Sequence, residues 1–203
     1  MRRFVLLVHR VPSNGAFTLN DLAGGAGRMD EVARAVSTAF TVSNDLRRDT
    51  QAILLFAGSG PSAAGRRITV SGARVRYLNP DERSTAALLK NALVRAADFP
   101  REFESSPGIV AGPIDVGQEL RRLAMEPGGV WLTEGGTLWR SRPPVGPPTT
   151  FFLSDPYEPT EAEQAILVAA GLPTVSLGPR SLRTSQVIDL VHHELDLAEA
   201  GAA

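Results

Sequence analysis

The 203-residue chain contains no cysteine. That excludes disulfides, thiolate metal sites and a cysteine nucleophile, and it fits a reducing compartment. Lysine is nearly absent: Lys90 is the sole example, so the cations are almost all arginine. Histidine is scarce, with three residues, and His192 and His193 are adjacent, so on a helix they point to different faces. His9 stands alone in sequence, and these spacings argue against zinc or another bound metal. No run approaches the roughly 18 apolar residues of a membrane span. The apolar stretch Phe4 to Val8 is too short for a secretory core. Gly24-Gly25-Ala26-Gly27 lacks a following Gly-Lys-Ser/Thr and fails the Gly-x-Gly-x-x-Gly spacing, which argues against nucleotide hydrolysis. No Gly-x-Ser-x-Gly elbow is present. These absences lead to the expectation of a cytoplasmic protein without membrane or metal partners.

What is present is an ordinary globular composition, 43% hydrophobic and 21% charged, long enough for one large domain or two small ones. The net charge of −1 conceals a division, because residues 1–100 sum to +6 and residues 101–203 to −7. A basic half is an electrostatic footprint for a polyanion. Its arginines cluster beside carboxylates in Gly27-Arg28-Met29-Asp30, in Asn44-Asp45-Leu46-Arg47-Arg48-Asp49 and in Asn79-Pro80-Asp81-Glu82-Arg83. Guanidinium groups at turns and helix entrances hold phosphate in a bidentate fork. Neighbouring carboxylates accept a proton, orient a base, or simply cap a helix.

Periodicity predicts strands over Phe4 to Val8, Ala52 to Ala57, Arg67 to Val70, Val75 to Tyr77, Val130 to Leu132, Phe151 to Leu153 and Pro173 to Leu177. A short edge strand is expected over Phe17 to Leu22. A further short strand should follow a turn near Ser105 to Val110. Helices are predicted from Met29 to Phe40, Glu82 to Ala97, Val116 to Met125, Glu161 to Ala170, and Thr184 or Ser185 to Ala198. Thr160 and Glu163 have capping-box spacing. Thr133-Glu134-Gly135-Gly136 should end a strand, and prolines 143, 144, 147 and 148 should form an extended connector. Strands alternating with helices imply an α/β fold with a mostly parallel sheet flanked by helices, in a single domain. Three strands end in loops of small residues, at Leu132-Thr133, Ser154-Asp155-Pro156 and Ser176-Leu177-Gly178-Pro179. In a parallel sheet such carboxyl ends converge on a ligand crevice, and their backbone groups are suited to reading an adenine edge; three ordinary strand-to-helix turns are the alternative.

Several runs extend this reading. Leu19-x-Asp21-Leu22-x-Gly24, Gly27-Arg28-Met29-Asp30, Ala35-Val36-Ser37-x-Ala39-Phe40, Ser43-x-Asp45-Leu46-Arg47-Arg48-Asp49, Pro80-Asp81-Glu82-Arg83, Ser106-Pro107-Gly108-Ile109 and Ser176-Leu177-x-Pro179 occur in order along nearly the whole chain. Together they resemble the archaeal tRNA pseudouridine(54) N1-methyltransferases of the SPOUT superfamily. The resemblance implies a C-terminal deep trefoil knot, a homodimer, S-adenosyl-L-methionine as cofactor and tRNA as substrate. It places the cofactor on Leu132, Thr133, Ser154, Asp155, Ser176, Leu177, Gly178, Leu182 and Thr184. It places RNA contacts on Arg28, Arg47, Arg48 and Arg83, with Asp30, Asp81 and Arg28 as the catalytic candidates. Two stretches depart from the family pattern: Ser185-Gln186-Val187 stands where relatives often have Asn-His-Cys, and Ser154-Asp155-Pro156 where they read Gly-Asp-His. These departures motivate the alternative of a protein that binds RNA or cofactor without turnover.

Overall fold

The computed structural model describes residues 1–58, 64–141 and 149–201. Its strands are β1 (Arg2–Val8), β2 (Thr50–Phe56), β3 (Gly65–Ser71), β4 (Phe103–Ser106), β5 (Ile109–Ile114), β6 (Gly129–Leu138), β7 (Thr150–Ser154) and β8 (Thr174–Ser176). Its helices are α1 (Met29–Phe40), α2 (Glu82–Asp98), α3 (Val116–Ala124), α4 (Glu161–Ala169) and α5 (Thr184–Glu199). All eight strands join one sheet in the order β4-β5-β3-β2-β1-β7-β6-β8. The run from β2 to β8 is parallel, while β3, β5 and β4 extend it by antiparallel pairing.

Side-chain alternation explains the layering. In β1, Phe4, Leu6 and Val8 face a core shared with α1, α2 and α5. Val5 and Leu7 face a second core under α3 and α4, with Leu120, Leu123 and Leu167. Burial on both faces is why β1 and β2 read as nearly continuous apolar runs. β3 buries Ile68 and Val70 but leaves Arg67 and Thr69 only half-buried. That one-sided alternation is what an antiparallel strand tolerates.

Several expectations are corrected here. Residues 17–22 form turns rather than an edge strand, and Val75 to Tyr77 is irregular. Leu19 and Leu22 still pack against the core, so the apolar pattern reflects burial without pairing. β4 went unrecognised because its Phe103-Glu104-Ser105-Ser106 run has a single large apolar side chain. The proline connector lies outside the described residues.

Thr133-Glu134-Gly135-Gly136 does not end β6. Val175 is in register both with Leu132 and with Thr137. Trp131 N–H donates to Pro173 C=O at 2.9 Å, and Trp139 N–H donates to Ser176 C=O at 2.8 Å. Carbonyls three residues apart on a strand point to opposite edges. The two halves of β6 therefore flank β8 on both sides, and the chain crosses over β8 between them. Gly136 lies against the crossing: a Cβ built there would sit 2.6 Å from the Val175 backbone.

The chain ends are fastened by a polar cluster around buried Arg2 and His192. Arg2 pairs with Asp196 at 2.6 Å and Glu199 at 3.0 Å, and donates to His192 Nδ1 at 3.1 Å. His192 Nε2 in turn donates to the Ala39 carbonyl at 3.1 Å, so the ring is neutral. Burial, with Arg47 and Arg2 nearby, pushes the His192 pKa down to about 4 from 6.5. A depressed histidine contributes stability that is full above pH 6.5 and is lost as pH falls through about 4. Unfolding free energy should drop by up to about 3 kcal/mol across that window. Denaturant titrations at stepped pH check this, and His192→Gln should flatten the dependence.

Among the described residues no helix is long and apolar enough to cross a membrane. No cluster of three or more His, Asp or Glu among them is arranged to hold a metal ion.

Candidate active site

A cavity of about 560 Å³ opens at the middle of β6, where its first half ends, and at the carboxyl ends of β7 and β8, the position where parallel sheets bind ligands. Leu132 and Thr133 enter it where β6 leaves the sheet to cross β8. Ser154 and Asp155 follow β7, Ser176, Leu177 and Gly178 follow β8, and Leu182 and Thr184 lead into α5. All nine residues expected to hold the cofactor thus line one cavity. Ser176 Oγ braces the third loop internally by donating to the Gly178 carbonyl at 2.9 Å, and Thr184 Oγ1 ties the start of α5 to the second loop by donating to the Ser154 carbonyl at 2.7 Å.

The lining fits an adenosyl group. Leu132, Leu153, Val175, Leu177, Leu182 and Val187 supply apolar surface for a purine. The backbone N–H groups of Leu177 and Leu182 have no hydrogen-bond partner among the described residues, which leaves them available to a base edge. Gly178 leaves open space, the nearest atom to a Cβ there being Leu182 Cδ1 at 3.9 Å.

Arg28 stands at the cavity lip, just ahead of α1, with φ +69°. Gly27 before it also has positive φ, and a Cβ there would meet the Arg10 carbonyl oxygen at 2.2 Å. Arg28, whose positive φ is strained for a side chain with a Cβ, is held by a fork: its Nε and Nη2 each donate to Asp30 at 3.0 Å, and Nη2 donates to Glu31 at 2.9 Å. Burial tends to raise the Asp30 pKa, but the hydrogen bonds and charge of Arg28 hold it below its ordinary value. A carboxylate locked ionised in this way orients a guanidinium well and accepts protons weakly. Asp30 is not part of the lining; Glu31 is, buried beside Arg28 and Arg34.

The other arginine runs lie outside the lining. Arg47 forks onto Asp196 of α5 at 3.1 and 2.7 Å. Arg48 donates to the Gly72 and Val75 carbonyls at 3.2 and 3.3 Å and pairs with Asp45. Arg83 holds the Leu19 carbonyl at 2.9 Å and the Asn20 side chain. Asp81 is the N-cap of α2, accepting from Ser84 N–H at 2.8 Å. Loss of that cap through Asp81→Ala should lower the melting temperature by about 2–4 °C. The activity that the resemblance implies should be unchanged, and a thermal melt beside a turnover assay separates the two.

Four contributors were not legible in advance. Arg180 and Arg183 line the mouth exposed, and the available signal was that Arg180 lies between Gly178 and Leu182 while Arg183 directly follows Leu182. Glu31 had a signal too, being adjacent to Asp30. His9 had none: its partner Asp155 lies 146 residues away.

The comparisons with known proteins agree with this geometry. Residues 1–200 match the family described as "Putative SAM-dependent RNA methyltransferase". A protein of Methanocella arvoryzae named tRNA (pseudouridine(54)-N(1))-methyltransferase is 41% identical over 198 residues, covering 97% of this chain and 99% of that one. A Methanosarcina mazei protein of the same name is 38% identical over 200 residues, covering 98% and 93%. The crystal structure of Archaeoglobus fulgidus Nep1 bound to S-adenosylhomocysteine superposes with a TM-score of 0.65 at 16% identity, covering 98% of this chain and 99% of that chain. A shared core sequence over nearly the full length, carried on a shared fold with its cavity at the strand ends, places this chain in the SAM-dependent RNA methyltransferase family.

Proposed function

We infer that this chain is an S-adenosylmethionine-dependent tRNA (pseudouridine(54)-N1)-methyltransferase. The observation that carries the reading is full-length similarity to relatives of that name, joined to a cavity whose lining suits an adenosyl group. When bound, S-adenosylmethionine would supply an electrophilic methyl carbon; N1 of the base would take it as the C–S bond breaks to leave S-adenosylhomocysteine, and the N1 proton would pass to water. The protein's task is then chiefly to place a ring nitrogen in line with that carbon. Leu132, Thr133, Ser154, Asp155, Ser176, Leu177, Gly178, Leu182 and Thr184 would hold the cofactor. Arg28 would hold the target nucleotide's phosphate at the lip, with Asp30 fixing the direction of its guanidinium.

Arg180 and Arg183 extend that cationic lip. Arg48 and Arg83, both exposed, are proposed to meet phosphates farther along the RNA, while the fork of Arg47 is already engaged by Asp196. The passage of β6 over β8 supports a C-terminal trefoil knot in which β8 is threaded under the crossing. The assembly proposed is a cytoplasmic homodimer, in which two basic N-terminal halves border one RNA path; sedimentation of the purified chain tests its stoichiometry.

Transfer of labelled methyl groups to tRNA transcripts bearing pseudouridine or uridine at position 54 tests the activity. Label should enter only the pseudouridine transcript, as N1-methylpseudouridine by nucleoside mass spectrometry. Cofactor binding with no incorporation would favour a binding protein without turnover.

A further inference from the structure

His9 is the first residue after β1, and it ties the end of that strand to Asp155 after β7, which lines the cavity, and to Glu163 of α4. Its backbone N–H donates to Asp155 Oδ2 at 2.8 Å, and its ring Nδ1 meets Asp155 Oδ1 at 2.9 Å. The other ring nitrogen, Nε2, meets Glu163 Oε2 at 3.0 Å. Ionised carboxylates only accept, so both ring nitrogens donate and the ring is an imidazolium. The site is nearly closed to water: side-chain exposure is 12% for His9, 1% for Asp155 and 9% for Glu163.

Each partner has a second duty. Asp155 also accepts from Tyr157 N–H at 3.1 Å, which curls the 154–157 segment that lines the cavity. Glu163 accepts from Thr160 N–H at 2.7 Å and Thr160 Oγ1 at 2.8 Å, closing the start of α4. Without the ring, two buried carboxylates would face each other with no cation between them, a costly arrangement. The segment between them would have to move.

We propose that His9 is a positioning residue for the cofactor, holding the 154–157 segment in its binding shape through Asp155 and Glu163. The proposal rests on the methyltransferase reading for the identity of the ligand. The charged groups facing the ring are Asp155 from the end of β7 and Glu163 from α4. Beside them the Arg10 guanidinium stacks on Tyr157 at 3.8 Å. Burial disfavours the charged ring, but the hydrogen bonds and charges of Asp155 and Glu163 outweigh it and raise the His9 pKa to about 9. The stabilisation is therefore complete below pH 6.5 and is lost as pH rises through about 9.

Calorimetric binding of S-adenosylhomocysteine to the full chain tests this, beside KM for tRNA. His9→Ala should weaken binding at least about tenfold while tRNA KM changes less than about twofold, with His9→Gln, which retains one donor group, intermediate. Wild-type affinity should fall as pH rises through about 9. Tyr157→Phe should keep that decline, and His9→Ala should lose it. Unchanged affinity in His9→Ala overturns the proposal, as does an equal loss of cofactor and tRNA binding. If His9→Ala fails to fold, a wild-type affinity that stays flat through that pH range overturns it alone. Wild-type binding without methyl transfer would sink only the substrate reading; no wild-type binding at all would sink both.

Discussion

Gly136→Ala is expected to dismantle the cofactor cavity. The added Cβ would stand 2.6 Å from both N and C of Val175 and 2.8 Å from C of Thr174. All three are backbone atoms, so no side chain can swing away to make room. β8 has only three residues and is held between the two halves of β6, so displacing it breaks pairing on both edges. The carboxyl end of β8 carries Ser176 and leads into the third lining loop. We expect a loss of about 3 kcal/mol in unfolding free energy and of at least about 100-fold in S-adenosylhomocysteine affinity, equivalent to a further ~2.7 kcal/mol. Gly178→Ala is the contrast, since its Cβ would make only an ordinary contact at 3.9 Å to Leu182. Denaturant unfolding and calorimetry on the two variants check the difference. Equal behaviour would mean that the crossing tolerates bulk and that the cavity does not depend on it.

Arg28→Ala should reduce kcat/KM for tRNA by about 100-fold, through loss of the cation proposed to hold a substrate phosphate at the lip. The same change leaves Asp30 and Glu31 without their shared fork, turning the lip toward negative charge and against phosphate. Arg28→Lys would restore charge without the planar fork and should recover only part of the rate. Arg28→Gly separates chemistry from backbone strain. Glycine accepts the positive φ of 69°, so this variant should be more stable than Arg28→Ala yet equally slow. Steady-state kinetics with melting curves read both quantities. A glycine variant with wild-type turnover would remove Arg28 from the mechanism.

Much of the outline was readable before any coordinates. The helices Met29–Phe40 and Glu82–Asp98 follow from apolar spacing, and Thr160 with Glu163 does form a capping box at the start of α4. Loops of small residues after strands marked out the cavity lining because parallel strands bring their carboxyl ends together. Arginine-carboxylate runs were visible as composition, but their division of labour was not. Arg28 faces the cavity, whereas Arg47 spends its fork on Asp196 in the last helix. An ion pair across 149 residues leaves no local trace in either segment.

Local patterning, then, determined most of this protein's elements, its basic and acidic halves and the loops that line its cavity, since periodicity and turn chemistry act over a few residues. The tertiary structure alone decided that β6 passes over β8, that His9 is wedged between Asp155 and Glu163, and that Arg28, Arg180 and Arg183 line the cavity. Those outcomes depend on groups brought together from opposite ends of the chain, where close packing and burial, not sequence spacing, set each residue's partners.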